Sequence, residues 1–194
     1  MTIFIIGYMA SGKTTFGRAL ARQTGMQFID LDFYIEQRYR STVSKIFAEK
    51  GEDEFRRIER EMLREAGEFE DVVISCGGGT PCFFDNMDFM LSKGVTVWLN
   101  TSPDRITTRL IANNSRRPLM AGKTPAQIRE EVDRALAARL PHYCRAAIHF
   151  PGEELESSRQ ISRSVEAFMP LLNDYRQRPD DKKLHKIANN ADFR

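Results

Sequence analysis

An α/β fold built on a parallel sheet is predicted by three observations. Five apolar-rich runs of strand length stand at residues 2–6, 27–30, 72–76, 95–99 and 146–150. The segments between them carry apolar residues at helical spacing. Strands that alternate with helices imply crossover connections, so the sheet is parallel and covered on both faces. Size is the third observation: 194 residues, 41% of them apolar and 29% charged, allow a single domain with a proper core.

The first strand runs directly into "GYMASGKTT". Gly7, Gly12, Lys13 and Thr14 match the pattern G-x-x-x-x-G-K-[ST], whose backbone amides wrap phosphates while the lysine reaches the terminal ones and the hydroxyl holds magnesium. Residues 13–23 follow as a helix with Phe16, Ala19 and Leu20 on its apolar side, and its start adds a positive dipole end to the phosphate site. Ligands of open α/β sheets collect at the carboxyl ends of the strands, so the next two strand ends should face the same site.

The second strand ends "FIDLDFYIE". In extended backbone the two-residue spacing turns Asp30 and Asp32 to one side, away from Ile29 and Leu31. Two acids beside phosphates can divide their work between a magnesium ion and the hydroxyl that receives a phosphoryl group. The plainer alternative makes Asp32 the cap of the following helix. The third strand ends "VVISCGGGTP", and Gly77, Gly78 and Gly79 remove every side chain there, admitting a ligand to the backbone and permitting positive dihedrals.

Further along, "EDEFRRIEREMLREA" reads as a helix with Phe55, Ile58 and Met62 on its buried stripe, which puts Arg56, Glu59 and Arg60 along a neighbouring face. Charges so placed are ordinarily solvated. The polar segment "NNSRRPLMAGKTP", with Arg116, Arg117, Pro118 and Gly122, has the composition of a mobile flap. An arginine carried by such a flap can neutralise charge on a group in transfer. Helix starts are marked by Ser102 before Pro103, Thr124 before Pro125, and Ser44 ahead of Ile46 and Phe47.

Composition narrows the class. No apolar run is long enough to span a membrane, and "MTIFII" opens as a strand rather than as a targeting segment, so a cytoplasmic protein is expected. Cys76, Cys82 and Cys144 lack metal spacing and suit reduced thiols, with Cys76 a small core residue. A net charge of +2 gives no sign of a nucleic-acid partner. Residues 1–172 are expected to form the domain, and the polar stretch 173–194, with Pro179 inside it, a loosely held extension.

In order and spacing, the phosphate loop, "DLD", "FRRIE", "GGG", "RPL" and "RLPHY" resemble the shikimate kinases over roughly residues 1–150. The resemblance implies a three-layer P-loop kinase fold with strand order 2-3-1-4-5, a mobile lid at about 112–124 and a shikimate-binding segment at about 32–63. It also implies transfer of the ATP γ-phosphoryl group to the 3-hydroxyl of shikimate, in the pathway to chorismate and the aromatic amino acids. By the same resemblance, Ala10, Ser11, Gly12, Lys13, Thr14 and Thr15 hold ATP, Thr14 binds Mg²⁺ directly and Asp30 binds it through water. Asp32 orients the acceptor hydroxyl, Arg56 and Arg139 grip the shikimate carboxylate, and Gly77, Gly78 and Gly79 complete that site. Arg117 meets the ATP phosphates and the transition state, Arg109 lies against the adenine, and the protein is a monomer. Ala10 stands where the family usually has another glycine, and the usual adenine contact beyond Phe150 is not identifiable. A gluconate or nucleotide kinase of the same fold is the nearer rival, and a nucleotide-binding module without catalysis the more distant one.

Overall fold

A computed structural model describes residues 1–112 and 122–177. Five parallel strands, β1 (Thr2–Ile6), β2 (Gln27–Asp30), β3 (Val72–Ser75), β4 (Val95–Asn100) and β5 (Ile148–Pro151), form one sheet in the order β2-β3-β1-β4-β5. The helices are α1 (Lys13–Thr24), α2 (Leu31–Tyr39), α3 (Val43–Gly67), α4 (Asn86–Lys93), α5 (Pro103–Ala112), α6 (Pro125–Tyr143) and α7 (Ser158–Gln177).

β1 explains the layering. Its side chains alternate between the two faces with a period of two. Ile3 and Ile5 join Phe16 and Leu20 of α1 and Phe168 and Leu172 of α7, whereas Phe4 and Ile6 join the core beneath α2 to α6. All four are completely buried, as a central parallel strand requires. Strand β1 therefore carries the phosphate loop out of the centre of the sheet, between the two cores.

Several boundaries differ from the sequence reading. β5 begins at Ile148 rather than residue 146, because the chain is still leaving α6: the amides of Cys144, Arg145 and Ala146 donate to carbonyls of Leu140, His142 and Tyr143. α3 is capped by Thr42, which accepts from the Lys45 amide, so Ser44 lies inside the helix. Gly51, at φ 79 and ψ 173, kinks α3 and separates its first two turns from the stretch that carries Arg56. Thr124 forms a reciprocal capping box with Gln127, and Ser102 accepts from the Arg105 amide, both where the sequence put them. α7 runs on through Gln177, so residues 173–177 of the expected extension belong to a helix. The expected flap residues Arg116, Arg117 and Pro118, and residues 178–194, lie outside the described residues.

Candidate active site

The phosphate loop turns on two glycines whose geometry admits no side chain. Gly7 has φ 145, and a β-carbon there would lie 2.8 Å from the Leu99 carbonyl oxygen. Gly12 has φ 100, and a β-carbon would meet Leu155 Cδ1 at 2.5 Å. Between them Ala10 sits at φ 60, a left-handed conformation that costs a residue with a β-carbon about 1–2 kcal/mol. Ala10→Gly is expected to relieve that strain, less the greater freedom of glycine in the unfolded chain. The net gain should raise the melting temperature by about 1–3 °C in a thermal scan.

Beyond the loop, a cavity of about 410 Å³ is lined by Gly12, Lys13, Thr14, Asp30, Asp32 and Gly78 among others. Lys13 Nζ donates to the Tyr8 carbonyl at 2.8 Å, and the Thr14 hydroxyl donates to Asp30 Oδ2 at 2.7 Å. The end of β2 therefore reaches the loop, and Gly77 and Gly78 after β3 line the same cavity, as the topology requires. Ser11 is buried beneath it, and Ala10 and Thr15 are at its wall.

The two aspartates come together by a route other than extended pairing. The strand stops at Asp30, which caps α2 by accepting from the Phe33 amide at 3.4 Å; Asp32 is in the first turn of that helix. Asp30, not Asp32, is the cap. Both still line the cavity. Asp32 is exposed to the cavity's water, yet surrounding protein hems in its carboxylate. That desolvation, followed by the charges of Asp30 and Glu59, raises its pKa from 3.8 to about 6, with Lys13 opposing.

Gly77, Gly78 and Gly79 adopt no positive φ; they are glycines for want of space. A β-carbon on Gly77 would lie 2.9 Å from Glu59 Oε1 and 3.1 Å from Asp32 Oδ1. On Gly78 it would meet the Arg139 guanidinium at 3.0 Å, and on Gly79 the Arg56 guanidinium at 2.8 Å. The bare backbone thus brings two guanidinium groups and two carboxylates against one turn.

Each guanidinium is held from behind. Arg56 donates to Glu59 Oε2 at 2.9 Å and to Glu52 at 3.0 Å, with its carbon 4.0 Å from the centre of the Phe83 ring. Arg139 lies over the Tyr8 ring at 5.1 Å, and the Tyr143 hydroxyl donates to the Gly78 carbonyl at 2.6 Å. Burial, opposed by Arg139, holds the Tyr143 hydroxyl well above its ordinary pKa, so it remains a donor.

The family model for shikimate kinase matches residues 9–170. The chain belongs to the shikimate kinase family. It is therefore an ATP-dependent kinase. A shikimate kinase of Phocaeicola vulgatus is 49% identical over 171 residues, covering 88% of this chain and 98% of its relative. The crystal structure of shikimate kinase from Bacteroides thetaiotaomicron superposes with a TM-score of 0.87 at 47% identity, over 89% of this chain and 98% of the other. That of Acinetobacter baumannii, in complex with shikimate, gives 0.77 at 28% identity, over 89% and 93%.

Within this shikimate kinase fold Glu59, which the sequence places among ordinarily solvated charges, is a buried part of the site. It is 1% exposed and accepts from Arg56 and, at 2.5 Å, from the Thr80 hydroxyl. Its position beside Phe55, Ile58 and Met62 on one helical stripe was the available signal. Arg109, expected against the adenine, is at the cavity wall but is turned onto the phosphate loop, with its nitrogens donating to the carbonyls of Ala10 and Ser11.

Thr14 and Asp30 offer the hard oxygens that magnesium takes. Among the described residues, no three acidic, histidine or cysteine side chains cluster to hold an ion unaided. Magnesium is ordinarily held by one or two such protein groups together with water and substrate phosphates, so this sparse donor set fits it.

Proposed function

We propose that the chain transfers the γ-phosphoryl group of ATP to the 3-hydroxyl of shikimate, yielding shikimate 3-phosphate and ADP. The observation that carries this reading is the pairing of Arg56 and Arg139 on adjacent glycines, Gly79 and Gly78, beside Asp32. Two guanidinium forks suit a carboxylate, and each charge-assisted bond is worth about 1.5–3 kcal/mol. An acceptor hydroxyl held between that anchor and the phosphate loop meets Asp32, whose ionised carboxylate accepts its hydrogen bond and orients it.

The loop amides and Lys13 bind the phosphates, Thr14 holds Mg²⁺ directly and Asp30 holds it through water. When bound, the ion neutralises charge on the phosphate oxygens. Arg117, which lies outside the described residues, supplies further positive charge to the transferred group. We place the protein in the cytoplasm as a monomer; among the described residues no helix is long and apolar enough to cross a membrane.

ADP release with magnesium and ATP, in the presence and absence of shikimate, tests the reading. Shikimate should stimulate release far above the rate with water alone. Stimulation by gluconate or a nucleoside monophosphate instead would retain the fold and overturn the substrate.

A further inference from the structure

Arg109 leaves α5 one turn before the helix ends and points back across the sheet to the phosphate loop. A guanidinium has five N–H donors in a fixed fork. All five have protein acceptors here. Nη1 donates to the carbonyls of Ala10 and Ser11 at 3.2 and 3.1 Å. Nη2 donates to the Glu153 carbonyl at 3.0 Å and to Glu156 Oε1 at 2.8 Å, and Nε donates to Glu156 Oε1 at 3.0 Å. The edge of the group is therefore committed to the protein, and only its face is left for a base to stack upon.

The two carbonyls it holds are those of the strained turn. Ala10 keeps φ 60 only because its surroundings over-determine the backbone there. In a planar trans peptide the N–H points opposite to the C=O. Drawing the Ser11 carbonyl toward Arg109 turns the Gly12 amide away from Arg109, and Thr101 Oγ1 reinforces this by donating to the same Ser11 oxygen at 3.1 Å. Glu156 in turn accepts from the Leu155 amide at 3.0 Å, and Leu155 covers Gly12. One side chain thus ties α5, the loop after β5 and the phosphate loop together.

We propose that Arg109 is a positioning residue for the phosphate loop, holding through the Ala10 and Ser11 carbonyls the left-handed turn that alanine disfavours, and so aiming the loop amides at phosphate. The role differs from contact with the adenine base. It rests on the loop being the phosphate site.

Inorganic tripolyphosphate, which has no base, separates the two roles. Its affinity and that of ATP are measured calorimetrically for the full chain, Arg109→Met, Ala10→Gly and the double variant, with melting curves to establish folding. Arg109→Met should weaken tripolyphosphate about tenfold, as expected from losing part of a charge-assisted anchor. In the Ala10→Gly background the same change should cost less than about threefold, because glycine takes the turn unaided. Should Arg109→Met not fold, Arg109→Lys, which keeps the charge but not the fork, gives the same comparison.

Unchanged tripolyphosphate affinity with weakened ATP would make Arg109 a base contact and overturn the proposal. Equal losses in both backgrounds would overturn the link to Ala10. Failure of the unsubstituted chain to bind tripolyphosphate would instead overturn the phosphate-site reading on which the proposal rests.

Discussion

Asp32→Asn should abolish shikimate-stimulated ADP release, lowering the rate by about 10²–10⁴, and should make the folded protein more stable at neutral pH. The two effects share one cause. In the folded chain the carboxyl is hemmed in by protein and faces Asp30 and Glu59, which raises its pKa from 3.8 to about 6. A proton is then held more tightly in the folded state than in the unfolded one. The associated stability is fully present below about pH 4 and is lost as pH rises through about 6. Asparagine stays neutral throughout, so it removes this loss. The full linkage value for a desolvated group would be about 3 kcal/mol. Asp32 opens to the cavity's water, and screening should reduce the gain to roughly 1 kcal/mol.

Melting curves of both proteins check this directly. The variant should melt higher by about 2–4 °C above pH 7, and the difference should vanish near pH 4. In the unsubstituted enzyme, the acid limb of kcat/KM should fall near pH 6, where Asp32 takes up its proton. A variant that loses activity without gaining stability at neutral pH would show that the carboxylate is not disfavoured by its surroundings.

The same site shows what the sequence made legible. The phosphate loop is a local motif, and its two obligatory glycines can be read from spacing alone. Strand order required the family resemblance, because periodicity states which segments are strands but not which are neighbours. The two-residue spacing puts the aspartates on one side only if the backbone is extended, whereas Asp30 caps α2 and Asp32 lies in its first turn. Glu59 escaped because an arginine and a glutamate three residues apart on a helix usually form a solvated surface pair. What buries this one is the Gly77–Thr80 turn, which folds over it from elsewhere in the chain. Arg109 is placed at the ATP site by the resemblance, but its hold on the phosphate loop is not legible, because its four acceptor atoms lie in two loops distant from it in sequence.

Arg56→Ala should damage the fold and the binding of an acidic substrate together, and a second substitution should separate the two. Arg56 neutralises Glu59, which is 1% exposed and otherwise accepts from Thr80. Removing one partner of such a buried pair leaves an uncompensated charge, at a cost of about 3–5 kcal/mol. Melting should fall by roughly 10 °C. Loss of the bidentate grip should also raise KM for shikimate by about 10²-fold. Adding Glu59→Gln takes away the stranded charge, so the double variant should recover most of the stability and none of the affinity. Arg56→Lys should behave similarly for a different reason, since an ammonium satisfies the charge of Glu59 but lacks the planar fork. If Arg56→Ala melted like the unsubstituted chain, Glu59 would not depend on it. If the double variant regained its affinity for shikimate, Arg56 would be an internal counter-ion only, and the carboxylate anchor would have to be sought at Arg139.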